Sequence, residues 1–269
     1  MDLKIIFEND LFLVLDKPAP LTVNRAETTR EETLQDQLAK YFKLASDDLG
    51  IGDRAGIVHR LDRETSGVLV VAKEQETFDV LQEEFRNRRV RKEYVALVHG
   101  FMKENSGTVA SRIARIGKFG KFGNLNMRQV GGKEAETGFE RVSSYQYPVS
   151  SLEKIAQDSS YNKSRIRYLQ KNALDYSLLS VFPKTGRTHQ IRVHLKSIGH
   201  PVVSDLIYAP GKLLKFDLMW CPRLFLHAQK IEFTLTTKGK AQEFVFEAPL
   251  SYDLEEAKKF LVELPHEPS

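Results

Sequence analysis

His59-Arg60-Leu61-Asp62-Arg63-Glu64-Thr65-Ser66-Gly67-Val68-Leu69-Val70-Val71-Ala72-Lys73 is the stretch that decides the fold of this chain. Residues 68–72 are apolar without alternation, which predicts a strand covered on both faces in the middle of a sheet. Just before it, one carboxylate, Asp62, stands between two arginines and beside a turn of small residues. An acid placed at the entry to a buried strand calls for a reason beyond solubility.

Upstream, residues 4–7 and 11–15 read as strands around a Glu8-Asn9-Asp10 turn, and Asp16-Lys17-Pro18-Ala19-Pro20 ends the second. Residues 33–42 have helical spacing, and residues 47–57, with three glycines, read as a loop. Downstream, residues 74–89 predict a helix whose buried stripe is Phe78, Leu81 and Phe85 and whose basic last turn suits the helix dipole. Residues 93–98, 137–142, 174–182, 224–228, 231–235 and 243–247 predict strands, and residues 253–264 a closing amphipathic helix. Thr188 reads as the N-cap of a helix carrying Ile191, Leu195 and Ile198 on one face, with Gly199 and Pro201 ending it. Arg192 then falls in its first turn. Residues 147–172 are the one long polar stretch and read as a loop insertion. With no linker and no repeat, the expectation is a single mixed-sheet α/β domain over residues 1–269, with short helices on its flanks.

The composition, 41% hydrophobic and 28% charged over 269 residues, is that of an ordinary soluble globular protein. No apolar run approaches the ~18 residues of a membrane span, and the start lacks the pattern of a signal peptide. Cysteine occurs once, at Cys221, which excludes an intramolecular disulfide and a thiolate cluster; a reducing cytoplasm is the expected location. Cys221, between Trp220 and Pro222, reads as a packing residue. A net charge of +4 says little alone, but the basic groups cluster. Arg86, Arg88, Arg89, Arg91 and Lys92 form one run, Lys163, Arg165, Arg167 and Lys171 another, and Lys118-Phe119-Gly120-Lys121-Phe122-Gly123-Asn124 alternates cations with aromatics. Cations neutralise phosphates and aromatics stack on bases, so the three together point to a polyanion such as RNA.

Asp62 admits two sharp readings beside a plain surface ion pair. Asp62-Arg63-Glu64-Thr65 loosely fits the acid-x-acid-x-Thr pattern of aspartyl-phosphate enzymes, but there the acid follows the apolar strand, whereas here it precedes it. The other reading is chemistry at a sugar C1′, where an ionised carboxylate acts as nucleophile or stabiliser. A nearby guanidinium would keep such a carboxylate charged in a pocket. His189, His194 and His200 invite a metal reading, but their spacing does not put them on one helix face, so no metal is expected.

The run from His59 to Lys73 resembles the signature of the RluA family of RNA pseudouridine synthases, His-Arg-Leu-Asp-x-x-Thr-Ser-Gly followed by apolar residues and Ala-Lys. Asp16-Lys17-Pro18 resembles the family's opening segment, and Lys92-Glu93-Tyr94-Val95-Ala96-Leu97-Val98-His99-Gly100 its tyrosine-bearing strand. Gly186-Arg187-Thr188-His189-Gln190-Ile191-Arg192-Val193-His194 resembles its second arginine motif, continued by Gly199-His200-Pro201, Asp205 and Tyr208. Arg223-Leu224-Phe225-Leu226-His227-Ala228 resembles its late motif. The likeness spans nearly the whole chain in order.

The resemblance implies a mixed, mostly antiparallel α/β (α+β) catalytic fold flanked by helices and loops, and an enzyme that isomerises uridine in rRNA or tRNA to pseudouridine without cofactor or metal. It implies that Asp62 is the essential carboxylate, that Arg192 pairs with it, and that Tyr94 stacks on the flipped uracil. It further implies that Arg60 replaces the flipped base in the RNA and that Arg187 contacts the backbone, with His59, Thr188 and Leu226 also at the RNA. A monomer is expected. The alternative is an RNA-binding or ribosome-assembly factor on the same scaffold, with modification secondary. Two departures stand out: Pro20 replaces the usual glycine, and residues 147–172 run longer than usual and basic in their second half. The N-terminal S4 RNA-binding domain of many relatives is not expected here, so residues 86–92 and 147–172 are the candidates for target selection.

Overall fold

The structure is a computed structural model that describes residues 3–26, 29–45, 48–116, 121–125, 131–158, 161–237 and 239–265. In chain order the elements are β1 (Ile5–Glu8), β2 (Phe12–Lys17), α1 (Leu34–Tyr41), β3 (Ser66–Ala72), α2 (Gln75–Arg86), β4 (Arg91–His99), β5 (Ser106–Arg115), β6 (Phe122–Leu125) and β7 (Lys133–Gln146). They continue with α3 (Val149–Asp158), α4 (Lys163–Asn172), β8 (Asp175–Pro183), α5 (Gln190–Ser197), α6 (Gly211–Asp217), β9 (Leu226–Thr237), β10 (Lys240–Glu247), α7 (Tyr252–Lys258) and β11 (Val262–Glu263). The chain divides into two compact units, Met1–Glu93 with His227–Leu250 and Tyr94–Leu226 with Ser251–Ser269.

In the first unit, β1 and β2 form a hairpin whose turn is closed by Asn9, its Oδ1 accepting from the backbone N–H of Leu11 and Phe12. β2 pairs antiparallel with β3, β3 pairs parallel with the start of β9, and β9 pairs antiparallel with β10. All seven residues of β3 are buried, as an unbroken apolar run predicts. Phe12, Val14, Val68, Val70, Phe78, Leu81, Ile231 and Phe233 form the core here. Removing each such side chain from water is worth about 1.5–3 kcal/mol. α1 starts on a capping box: Thr33 accepts from the Asp36 N–H while Asp36 accepts from the Thr33 N–H.

In the second unit the strand order is β4-β8-β7-β5-β6, all antiparallel, and β11 adds to the end of β7. α5 lies against β5, β6, β7 and β8, burying Ile191 and Leu195 with Ala96, Val98, Leu179, Val181 and Leu224. The fold class is thus the expected one: mixed α/β, mostly antiparallel, with helices on the flanks.

Several local expectations change. Residues 147–172 are not a loop but hold α3 and α4. Two fully buried leucines, Leu152 and Leu169, anchor these helices, and the Asn162 side chain caps α4 by accepting from the Arg165 N–H. The polar remainder hides that sparse apolar pattern. The expected strands at 224–228 and 231–235 are one strand, β9, and the closing helix ends at Lys258 because the chain then turns into β11. Thr188 is not the N-cap of α5; His189 is, with φ at +56° and no side-chain cap. The Gln190 side chain instead ties down the turn that leads into α5, its Oε1 accepting from the Arg187 N–H and the Thr185 hydroxyl.

Candidate active site

Asp62 lies in the first unit, on the loop that feeds β3. Three anchors fix that loop. Upstream, residues 56–59 run beside β3: the Ala72 N–H donates to the Gly56 carbonyl at 2.8 Å, and Ile57 bridges Val71. The Val70 N–H donates to His59 Nε2 at 3.0 Å, and the imidazole stacks on Phe85 with centroids 4.8 Å apart. Burial, helped by the nearby Lys92 charge, pushes His59 down to about 3, so the ring is neutral and carries its proton on Nδ1. Lys92 itself is pushed down to about 8 by burial.

Beneath the loop runs Lys17. Its side chain is only 1% exposed, and its ammonium donates to the carbonyls of Pro18, Leu21 and Arg63. The Leu21 N–H also donates to the Arg63 carbonyl, at 2.9 Å. The Lys-Pro segment is thereby tied to the residue next to Asp62.

Downstream, the Thr65 N–H donates to the Asp62 carbonyl and closes a turn, after which Ser66 and Gly67 bridge His227 and Ala228. His227 Nε2 donates to the Ala248 carbonyl at 3.2 Å, which leaves Nδ1 to accept from the Ser66 hydroxyl at 2.9 Å. At Gly67 the φ is +114°, and a Cβ there would stand 2.1 Å from the Ala228 carbonyl oxygen. The early motif and the late motif are thus zipped together by a contact that only glycine permits.

The charges around Asp62 sort themselves. Arg63 is engaged by Glu31 and Glu64. Arg60 is exposed and has no hydrogen-bond or ion-pair partner among the described residues, so its guanidinium is open to a ligand. In the basic run that follows α2, Arg89 is bound to Glu84, while Arg86, Arg88 and Arg91 are exposed.

The other expected residues lie in the second unit. Tyr94 is half-buried on β4 opposite Val181 and borders the cluster that holds Ile191, Leu195, Leu224 and Leu226. Leu226, expected at the RNA, is 3% exposed and packs within that cluster.

Arg192 is buried on α5. Its Nε donates to Asp205 Oδ2 at 2.8 Å and its Nη2 to Asp205 Oδ1 at 2.7 Å, while the guanidinium lies 5.1 Å from the Tyr208 ring. Asp205, fully buried, also accepts from the N–H groups of Ile207 and Tyr208. The Tyr208 hydroxyl contacts His189 Nδ1 and accepts from the Phe122 N–H. Sequence reading placed Asp205 and Tyr208 within a motif but gave neither a role; the signal was an acid beside small and aromatic residues just after the arginine helix.

Arg187 and Thr188 line an open groove of about 470 Å³ with Arg115, Phe122 and Lys133. Arg187 Nε also donates to the Glu134 carbonyl. Lys118, Phe119 and Gly120 of the cation–aromatic cluster lie outside the described residues. His194 is fully buried between Thr137 and Ser111, and burial pushes it down to about 4. His200 contacts the His99 carbonyl. Cys221 is buried and pushed up to about 12, an inert thiol as expected.

The family model described as RNA pseudouridylate synthase matches residues 11–197. The ribosomal large subunit pseudouridine synthase D of Nitrosomonas europaea is 33% identical over 98% of this chain and 67% of its own length. An uncharacterized RNA pseudouridine synthase of Bacillus subtilis is 32% identical over 95% of this chain and 72% of its own. Among solved structures, human RNA pseudouridylate synthase domain containing 1 matches with a TM-score of 0.69 at 25% identity, covering 100% of this chain and 91% of that one. Human RNA pseudouridylate synthase domain containing 4, at 22% identity and a TM-score of 0.65, shares the fold. With its motifs in order, its fold matched and its sequence related over nearly its whole length, the chain belongs to the RluA family of RNA pseudouridine synthases, isomerases that act on RNA.

Proposed function

We propose that the chain isomerises a specific uridine of ribosomal or transfer RNA, with Asp62 as the essential carboxylate. The N1–C1′ bond breaks, the uracil turns, and C5 joins C1′; C5 loses its proton and N1 ends protonated, so no oxidant, reductant or metal is consumed. Asp62 must be ionised to act on the sugar or the base. Arg192 serves as its fixed cationic partner. Tyr94 stacks on the uracil and assists loss of the C5 proton. Arg60 fills the space left by the base, which must leave its stack before C1′ can be reached. His59 holds the loop, Arg187 and Thr188 meet the RNA backbone, and Leu226 supports the uracil side of Tyr94. The chain acts as one catalytic domain and as a monomer, in the cytoplasm.

The observation that carries this reading is the triple anchoring of the Asp62 loop through His59, Lys17 and Ser66, beside an arginine with no protein partner among the described residues. A loop held this firmly on rigid strands suits a reacting group. Because the Nitrosomonas europaea relative is named for the large ribosomal subunit, large-subunit RNA is the first substrate to test. Pseudouridine mapping of cellular RNA with and without the gene identifies the target: a site that vanishes with the gene and returns with wild-type but not Asp62→Asn supports the proposal. Return of the site with Asp62→Asn contradicts it.

A further inference from the structure

The basic stretch at residues 163–171 is absorbed by none of the chemistry above. In the structure it is α4, and three of its cations, Lys163, Arg167 and Lys171, are exposed. They stand four residues apart, so they form one row along a single helix face. Like charges at that spacing repel and weaken a helix, so the row does not serve the stability of α4. α6, which packs on α4, adds exposed Lys212 and Lys215. α4 carries no acid, and the one acid of α6, Asp217, is buried against His99. In sequence the acids that flank α4 are Asp158, five residues before it, and half-buried Asp175, three residues after it.

Aromatic rings brace this surface. The Arg165 guanidinium lies 4.3 Å from the Tyr161 ring, and the Lys212 ammonium 4.8 Å from the Tyr168 ring. Arg165 Nε and Nη2 are buried with no hydrogen-bond partner among the described residues. A cation held on a ring in this way keeps its charge in place near the surface.

We propose that the α4–α6 face is a second RNA-contact surface, which grips the phosphate backbone of the substrate without reading its sequence. This rests on the chain acting on RNA. RNA suits the surface better than an anionic membrane does. A membrane-binding helix turns apolar residues outward, whereas the exposed positions of α4 are Lys163, Ser164, Arg167, Gln170, Lys171 and Asn172, and its Leu169 is buried.

The test uses the full chain, a fluorescein-labelled 20-nucleotide oligouridylate and a series of KCl concentrations, read by anisotropy. The triple variant Lys163→Gln/Arg167→Gln/Lys171→Gln should bind on the order of tenfold more weakly, and its log Kd against log salt should flatten by about 2, or 0.7 per lost contact. Arg167→Glu should weaken binding, and the charge-keeping Arg167→Lys should not. All three positions are exposed and the change relieves repulsion along α4, so melting temperatures should not fall below wild type. At saturating RNA the triple variant should keep the wild-type kcat while its KM rises. Unchanged affinity and slope would overturn the proposal. So would wild type binding phosphatidylserine vesicles through this face while its RNA affinity ignores the substitutions. If wild type forms no pseudouridine in any RNA, the proposed function fails, but the oligouridylate titration still decides the surface.

Discussion

Arg192 and Asp205 form a bidentate ion pair in which both partners are buried, the carboxylate completely, with contacts of 2.8 and 2.7 Å. The pair settles how the second arginine motif is built. An arginine on a helix first turn would otherwise swing on a long side chain. Here Asp205 takes two of its nitrogens and Tyr208 lies against its plane, so the remaining edge of the guanidinium has one orientation.

Removing either partner breaks this buried bidentate pair. Arg192→Ala and Asp205→Ala should each lower stability by about 3–5 kcal/mol. The double variant should lose clearly less than the sum, because the pair's own interaction is counted in both single losses. Chemical denaturation of the four proteins gives the coupling. Additive losses would show that the pair contributes no interaction of its own.

Gly67→Ala tests the zipping of the two motifs. A Cβ at 2.1 Å from the Ala228 carbonyl cannot be accommodated by a side-chain rotation, and the φ of +114° is strained for any L-residue. The strand junction must open, so activity should fall by at least tenfold and the melting temperature should drop by several degrees, since each kcal/mol lost moves it by roughly 2–4 °C. Wild-type activity and melting would mean that β3 and β9 do not need this close approach.

Stability should depend on pH through His59 and His194, held down to about 3 and about 4 against an unfolded value near 6.5. With folded values below the unfolded one, the unfolded chain binds more protons as pH falls below 6.5. The stabilisation is therefore fully present above pH 6.5 and is lost as pH falls toward 4 and 3. His194→Gln should be less stable at pH 7.5 yet show a shallower loss between pH 6.5 and 4. A slope equal to wild type would mean that His194 protonates freely in the folded chain.

Much of this was legible in the sequence, for identifiable reasons. β3 was read from five apolar residues in a row, because full burial on both faces removes alternation. α1 and α2 were legible from the helical spacing of their apolar residues, and α2 also from its basic last turn. β5 was not read: its residues alternate between exposed and half-buried, with Ile113 alone fully buried among its large side chains. α4 was hidden because Ile166 and Leu169 are its only aliphatic residues and only Leu169 is fully buried. Thr188 looked like a cap, but the left-handed backbone at His189 moves the helix start by one residue, and no side chain caps α5. In the candidate site, the residues Asp62, Arg60, Tyr94 and Arg192 were readable from motifs. What holds them was not: the Lys17 tether and the Ser66–His227 contact depend on pairings between distant segments, and the Asp205 pair on how the chain folds back after α5. Spacing within one motif does not encode them.

The central claim is that the Asp62 carboxylate, and not merely its loop, is needed for turnover. Asn keeps the shape and removes the charge, so release of tritium from RNA labelled at uridine C5 measures the claim most directly. Asp62→Asn should release none above background, while binding RNA within about twofold of wild type and melting at the same temperature. Release at the wild-type rate would contradict the account.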